Sequence, residues 1–237
     1  MKHADEAVIL AGGLGTRLRA EVTDLPKTLA PVNGRPFITY LLDALASRGV
    51  RHTVLATGYL APKVERALGE TWSGMRLSYS VEHHPLGTGG ALRRATSLTA
   101  GGSVIVLNGD TYLELDVDAF AGSMAAKGAE LGIALAAVPD VARYGAVLVA
   151  SGLVTSFGEK AQQGPGLINA GVYYASKAAL AALPARESFS LETEVLAPAA
   201  AAGRLHAFTD THRFIDIGIP EDYARAQEMA KQWAASG

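Results

Sequence analysis

The 237-residue chain contains no cysteine. That absence excludes a disulfide framework, a Cys-ligated metal and a thiol nucleophile, and it agrees with a reducing, cytoplasmic location. Positive charge is not in excess: 21 Lys and Arg stand against 23 Asp and Glu, a formal net charge of -2. Such a chain has no global field with which to hold nucleic acid, so any phosphate binding must be local. No apolar run approaches the roughly 20 residues of a membrane span. The opening stretch is too short for a signal peptide and stops at Gly12 and Gly13, and the alanine-rich segment 197–202 is short enough to be a packed helix. Neither a membrane nor a nucleic acid is therefore an expected partner. What the chain does have is a 49% hydrophobic and 19% charged composition, enough to bury a real core. One domain over residues 1–237 is expected, with halves at about 1–115 and 116–237.

In the first half, short apolar runs alternate with helical spacing. Segments 7–10, 53–57, 76–81 and 103–107 are predicted strands, and 37–47, 62–68 and 91–98 are predicted helices. The order predicts an α/β fold, a mostly parallel sheet with helices on both faces. The second half is richer in strands: 132–138, 146–150, 153–157, 171–175, 205–209 and 213–216. Ser151-Gly152 turns a hairpin, and helices are predicted over 189–202 and 220–233. This half is expected to form a lid or wall over the first.

Leu10-Ala11-Gly12-Gly13-Leu14-Gly15-Thr16-Arg17 follows the first strand directly. Its glycines allow a tight turn with N–H groups exposed to an anion, and Arg17 adds a planar cation. It is neither a Walker A loop nor a full dinucleotide fingerprint, because Leu18 stands where the third glycine would be. By itself it also fits a strand-to-helix turn without ligand. The loop is followed by Pro26-Lys27-Thr28-Leu29-Ala30-Pro31 and then Gly34-Arg35-Pro36. Further on come Glu82-His83-His84-Pro85-Leu86-Gly87-Thr88-Gly89-Gly90, the strand end Asn108-Gly109-Asp110, and Asp216-Ile217-Gly218-Ile219-Pro220-Glu221-Asp222. An ionised Glu82 could accept the adjacent N1–H and N2–H of guanine together, whereas uracil and thymine present one N–H between two carbonyls. A strand-end glutamate facing water is the bland alternative. A carboxylate after a central strand sits where open α/β sheets hold ligands, and magnesium takes one or two carboxylates with phosphates and water. Capping of turns is the alternative for Asp110 and Asp216, and service to a helix N-terminus the reading for Glu221 and Asp222. The histidines lack metal-ligand spacing, and Asp116-x-Asp118 reads as a turn.

Together these segments resemble the signature of the sugar-phosphate nucleotidyltransferases, over nearly the whole chain. The resemblance implies a three-layer Rossmann-like fold with a mostly parallel mixed sheet and a small β-rich lid on the sugar side. It implies that Leu10, Ala11, Gly12, Gly13, Gly15, Thr16, Glu82, Pro85, Gly87, Thr88, Asn108 and Gly109 bind the nucleotide. The glycines after Pro85 would lie against base and ribose. Arg17, Lys27 and Asp110 would be catalytic, with Mg2+ held by Asp110 and Asp216. Gly145, Glu159, Lys160 and Asn169 would bind the sugar phosphate, although the family's Glu-Lys-Pro is Glu-Lys-Ala here. Glu192 and Thr193 either reach the site or cap a helix. The substrates implied are a nucleoside triphosphate, GTP favoured, and a sugar 1-phosphate. Within the family the motifs look closest to the D-glycero-α-D-manno-heptose 1-phosphate guanylyltransferases, which make GDP-heptose for bacterial surface polysaccharides. Mannose-1-phosphate guanylyltransferases and N-acetylmuramate-1-phosphate uridylyltransferases are near neighbours. A catalytically silent nucleotide-sugar-binding relative and a glycosyltransferase remain the readings from other classes. A homodimer is the assembly kept open.

Overall fold

A computed structural model describes residues 4–13, 25–158 and 163–233. The fold is built outward from β1 (Glu6–Ala11), whose run of Ala, Val, Ile and Leu is buried on both faces. Such a run suits a central strand covered on each side by helices. A small ribbon follows, β2 (Pro31–Val32) and β3 (Arg35–Pro36), and then α1 (Ile38–Ser47), β4 (His52–Thr57), α2 (Ala61–Leu68), β5 (Thr71–Trp72), β6 (Met75–Val81), α3 (Gly87–Thr96) and β7 (Val104–Asn108). Strands β7, β1, β4 and β6 are neighbours in that order and all parallel, and β5 closes one edge antiparallel.

The second half comprises β8 (Thr111–Leu113), α4 (Val117–Ala126), β9 (Leu131–Val138), β10 (Val147–Ala150), β11 (Leu153–Phe157), β12 (Gly166–Ala175), α5 (Lys177–Ala181), α6 (Ala197–Ala201), β13 (Leu205–Phe208), β14 (Phe214–Asp216) and α7 (Pro220–Trp233). Its strands continue the same sheet. Antiparallel β12 joins β7 to β9, β13 lies parallel to β9, and the β11–β10 hairpin forms the far edge of ten strands. Ser151 and Gly152 turn that hairpin with φ of 52° and 77°, the left-handed pair that matches strand twist.

The period-two alternation of β1 divides the core. Ala7, Ile9 and Ala11 pack with α1, α2, α4 and α7 on one face, and Val8 packs with α3, α5 and α6 on the other. Three layers result, as expected for an α/β fold. Several elements were not expected: β2, β3, β5, α5, α4 and β8. Helix α4 starts at Asp116, whose carboxylate accepts the N–H groups of Asp118 and Ala119, so Asp116-x-Asp118 is a helix cap and not a free turn. Gly122 and Ser123 inside α4 mask its helical pattern. Strand β8 has three residues and pairs with β14 alone. The helix expected over 189–202 is a π-helical turn, Glu192–Leu196, leading into the short α6, with Pro198 unable to donate to the preceding turn.

Candidate active site

Four parallel strands present their carboxyl ends to one edge of the sheet, and the chain leaves three of them at a predicted site residue and the fourth, β4, at Gly58, which the sequence reading did not single out. Gly12 follows β1, Gly58 follows β4, Glu82 follows β6, and Asn108 ends β7. Between them lies a cleft of ≈ 560 Å³. Leu10, Ala11, Gly12, Gly13, Lys27, Glu82, Pro85, Gly87, Thr88, Asn108 and Asp110 line it. Of the glycine loop, Gly15, Thr16 and Arg17 lie outside the described residues, as do Glu159 and Lys160.

Glu82 lies directly over Gly12. A Cβ on Gly12 would stand 2.8 Å from Glu82 Oε1, so the carboxylate lies against the loop glycine and would have to shift to admit a side chain there. Leu86 N–H donates to Glu82 Oε2 at 3.3 Å. Burial pushes the carboxyl's pKa up, and the Leu86 N–H, Arg94 and His84 only partly oppose this. The group is thus half-buried, aimed along the cleft, and has acceptor capacity to spare. His83 and His84 are exposed cleft residues, and His84 Nε2 pairs with Glu187 at 3.0 Å.

The glycines after Pro85 do not all face the cleft. A Cβ on Gly89 would fall 2.1 Å from the Phe189 ring, and one on Gly90 would fall 2.2 Å from the Glu187 carbonyl. Those two glycines let α3 dock against the 187–189 segment, which corrects the expectation that they line base and ribose. Thr88 lines the cleft, but its hydroxyl donates to Glu192 Oε2 at 2.5 Å and accepts from Leu191 N–H at 2.9 Å. Glu192 also accepts from Ser190 Oγ, and Ser190 in turn receives Thr193 N–H. Ser190 therefore does the capping, and Glu192 ties the π-turn to the cleft wall. Gly109 is buried behind the cleft, its N–H donated to the Leu10 carbonyl at 2.9 Å.

At the other end, Asp110 and Asp216 meet through the antiparallel β8–β14 ladder, which pairs Thr111 with Asp216, and Ile217 N–H donates to the Asp110 carbonyl. Lys27 Nζ sits 2.5 Å from Asp110 Oδ2 and 3.7 Å from Asp216 Oδ1. Burial raises the pKa of Asp216, and the charge of Asp110 raises it further. Two carboxylates repelling each other at a cleft mouth are a donor set made of oxygen, suited to a hard divalent cation. Among the described residues no group of three or more His, Asp or Glu gathers, so phosphate and water would complete the shell. Thr28 Oγ1 and Asn108 Oδ1 are buried and have no partner among the described residues.

Gly145, with φ of 87°, follows Tyr144 beside this cluster. Asp222 is not a simple helix-end charge. It is 1% exposed, receives hydrogen bonds from Arg143 and Arg225, and anchors the segment before Gly145 to α7. Burial would raise its pKa, but the Arg143 guanidinium holds it below the usual carboxylate value. Asn169 lies on β12, and its Nδ2 donates to the Tyr173 hydroxyl at 3.0 Å. Sequence reading missed Arg143 and Tyr173: Arg143 adjoins the Tyr-Gly pair, which could have flagged it, whereas Tyr173 reads as an ordinary core position.

The nucleotidyl transferase family model matches residues 6–232. The chain is 38% identical over 228 residues to the D-glycero-alpha-D-manno-heptose 1-phosphate guanylyltransferase of Aneurinibacillus thermoaerophilus, covering 96% of this chain and 99% of that one. It is 36% identical over 219 residues to the enzyme of the same name from Campylobacter jejuni subsp. jejuni, covering 92% and 96%. The crystal structure of HddC from Yersinia pseudotuberculosis is similar at a TM-score of 0.84 and 38% identity, over 97% of this chain and 100% of that one. HddC complexed with GMP-PN gives the same TM-score at 37% identity, with the same coverage.

Proposed function

Because the chain belongs to the nucleotidyl transferase family, we propose that it transfers GMP from GTP to D-glycero-α-D-manno-heptose 1-phosphate, forming GDP-heptose and pyrophosphate. The observation that carries the base assignment is the Glu82 carboxylate, seated over Gly12 at the wall of the cleft. Ionised, it accepts guanine N1–H and N2–H together and is repelled by the carbonyls of uracil or thymine. The two heptose 1-phosphate guanylyltransferases at 38% and 36% identity support the sugar.

In this reading a phosphate oxygen of the sugar 1-phosphate attacks the α-phosphorus in line. The bond from that phosphorus to the β-bridging oxygen breaks, and its electron pair leaves with pyrophosphate. No covalent enzyme intermediate is needed, so catalysis rests on positioning and charge neutralisation. Gly12 and Gly13, with Gly15 and Thr16 beyond them, cradle the triphosphate, and Lys27 and Arg17 offset its developing charge. Asp110 and Asp216 would hold Mg2+, which when bound neutralises phosphate oxygens. Gly145, Glu159, Lys160 and Asn169 hold the sugar phosphate. The proposal places the protein in the cytoplasm, as a homodimer, supplying nucleotide-heptose for surface polysaccharide.

The test is pyrophosphate release with GTP, UTP, dTTP, CTP and ATP, each crossed with heptose 1-phosphate and mannose 1-phosphate. GTP with the heptose phosphate is expected to give the highest kcat/KM. A clear preference for UTP sinks the guanine assignment, and a preference for mannose 1-phosphate moves the chain to the neighbouring guanylyltransferases.

A further inference from the structure

Tyr173 is 1% exposed and lies on β12 opposite Val106 of β7 and Ile133 of β9. Packing there needs only its ring, while its hydroxyl must be satisfied inside the protein. Asn169 Nδ2 donates to that hydroxyl at 3.0 Å. Burial, with the charge of Glu192 adding to it, drives the phenol's pKa far upward, so the group stays neutral.

The contact with Asn169 depends on an irregular strand. Residues four apart on a regular strand share a face but stand about 13 Å apart. Here the register shifts between Asn169 and Val172, and Gly171 adopts a φ of 74°. Gly171 N–H donates to Asn169 Oδ1 at 2.9 Å, which fixes the amide's orientation and turns Nδ2 toward Tyr173. A Cβ on Gly171 would come 2.7 Å from Asn108 Nδ2 and 2.8 Å from Thr111 Oγ1. The bulge is therefore keyed into the two residues that flank Gly109 and Asp110, and Thr111 Oγ1 also donates to the Ala170 carbonyl at 3.2 Å.

We propose that Tyr173 is a positioning residue whose hydroxyl holds the Asn169 amide, on the sugar side, in the orientation set by the β12 bulge that packs against Asn108 and Thr111. The proposal rests on the functional reading above for the sugar role of Asn169. It makes β12 more than a wall: its bulge and one phenol fix where the sugar-side amide stands relative to the nucleotide side.

The experiment is Tyr173→Phe, which removes the hydroxyl and keeps the ring. With GTP and heptose 1-phosphate, KM for the sugar phosphate is expected to rise about tenfold and kcat to fall. In a cycle with Asn169→Ala, the tyrosine substitution should add less than about twofold, because it acts through the amide already removed. Thr53→Val is the control. It deletes a buried hydroxyl that contacts Met75 Sδ at 3.1 Å, near the opposite end of β4, and should lower Tm without moving KM. An unchanged KM in Tyr173→Phe alongside a lowered Tm, or fully multiplicative effects in the cycle, overturns the proposal. If the wild-type protein turns over neither heptose 1-phosphate nor mannose 1-phosphate, the functional reading fails instead. Side-chain amide exchange then decides the positioning claim. The Asn169 side-chain amide protons should exchange slowly in the wild type and faster in Tyr173→Phe, and equal rates overturn it.

Discussion

Lys27 touches both carboxylates at the cleft mouth, and nothing in the hydrophobic core depends on its charge. Lys27→Ala should lower kcat by about 10²-fold or more, with an unchanged circular dichroism spectrum. Near-normal pyrophosphate release would remove it from the catalytic set. Glu82 makes a prediction about pH. Its carboxyl titrates above the ordinary range because it is half-buried, and only the charged form accepts two guanine N–H groups. KM for GTP should therefore rise as the pH falls, starting above the range where an ordinary glutamate protonates, and Glu82→Gln should show a high KM with no such slope. Asp222 behaves in the opposite sense. Folding depresses its pKa, so it contributes stability above about pH 4, lost as pH drops through the folded value. Asp222→Asn should cost about 1–3 kcal/mol near neutrality and less at acid pH, read by thermal unfolding at both. Residues of this kind were unequally legible. Lys27, Asp110 and Asp216 lie in contiguous motifs whose spacing carries their chemistry. Arg143 and Tyr173 gain their partners only through folding, from Asp222 79 positions away and from Asn169 across a bulge.

Helix α3 shows how an element can be legible in place and misread in purpose. Its glycines were expected against a ligand, yet Gly89 and Gly90 are the flat face on which Phe189 and the Glu187 carbonyl rest. Gly89→Ala should destabilise the fold by about 1–3 kcal/mol through overpacking, seen as a lower urea midpoint with an unchanged slope. An unaltered midpoint would show that the ring moves aside. The central strands β1 and β7 were readable because burial on both faces writes a nearly continuous apolar run. The short β8 and the glycine-bearing α4 were not, since tertiary pairing and an aspartate cap define them more than periodicity does. The π-turn was likewise hidden, because a sequence pattern does not distinguish one turn's winding from the next.

At the scale of the molecule, one sheet crosses the boundary near residue 115, and β12 is the strand that joins the two halves. Both halves should unfold together: in a Trp233→Phe variant, Trp72 fluorescence, from the first half, and far-ultraviolet dichroism, from all of the chain, should give one coincident transition. Two separate midpoints would mean two independent units. The α/β class and the parallel half were legible in the sequence, whereas the joining of halves by an antiparallel strand depends on long-range pairing that no local pattern records. The β8–β14 ladder carries a consequence for the order of synthesis. The cleft glycines, Lys27, Glu82 and Asp110 all leave the ribosome well before Asp216, and β14 alone supplies the second carboxylate. On the proposed roles, a nascent or prematurely terminated chain without β14 lacks the second carboxylate and cannot consume GTP, so unfinished molecules leave the cell's nucleotide pool untouched.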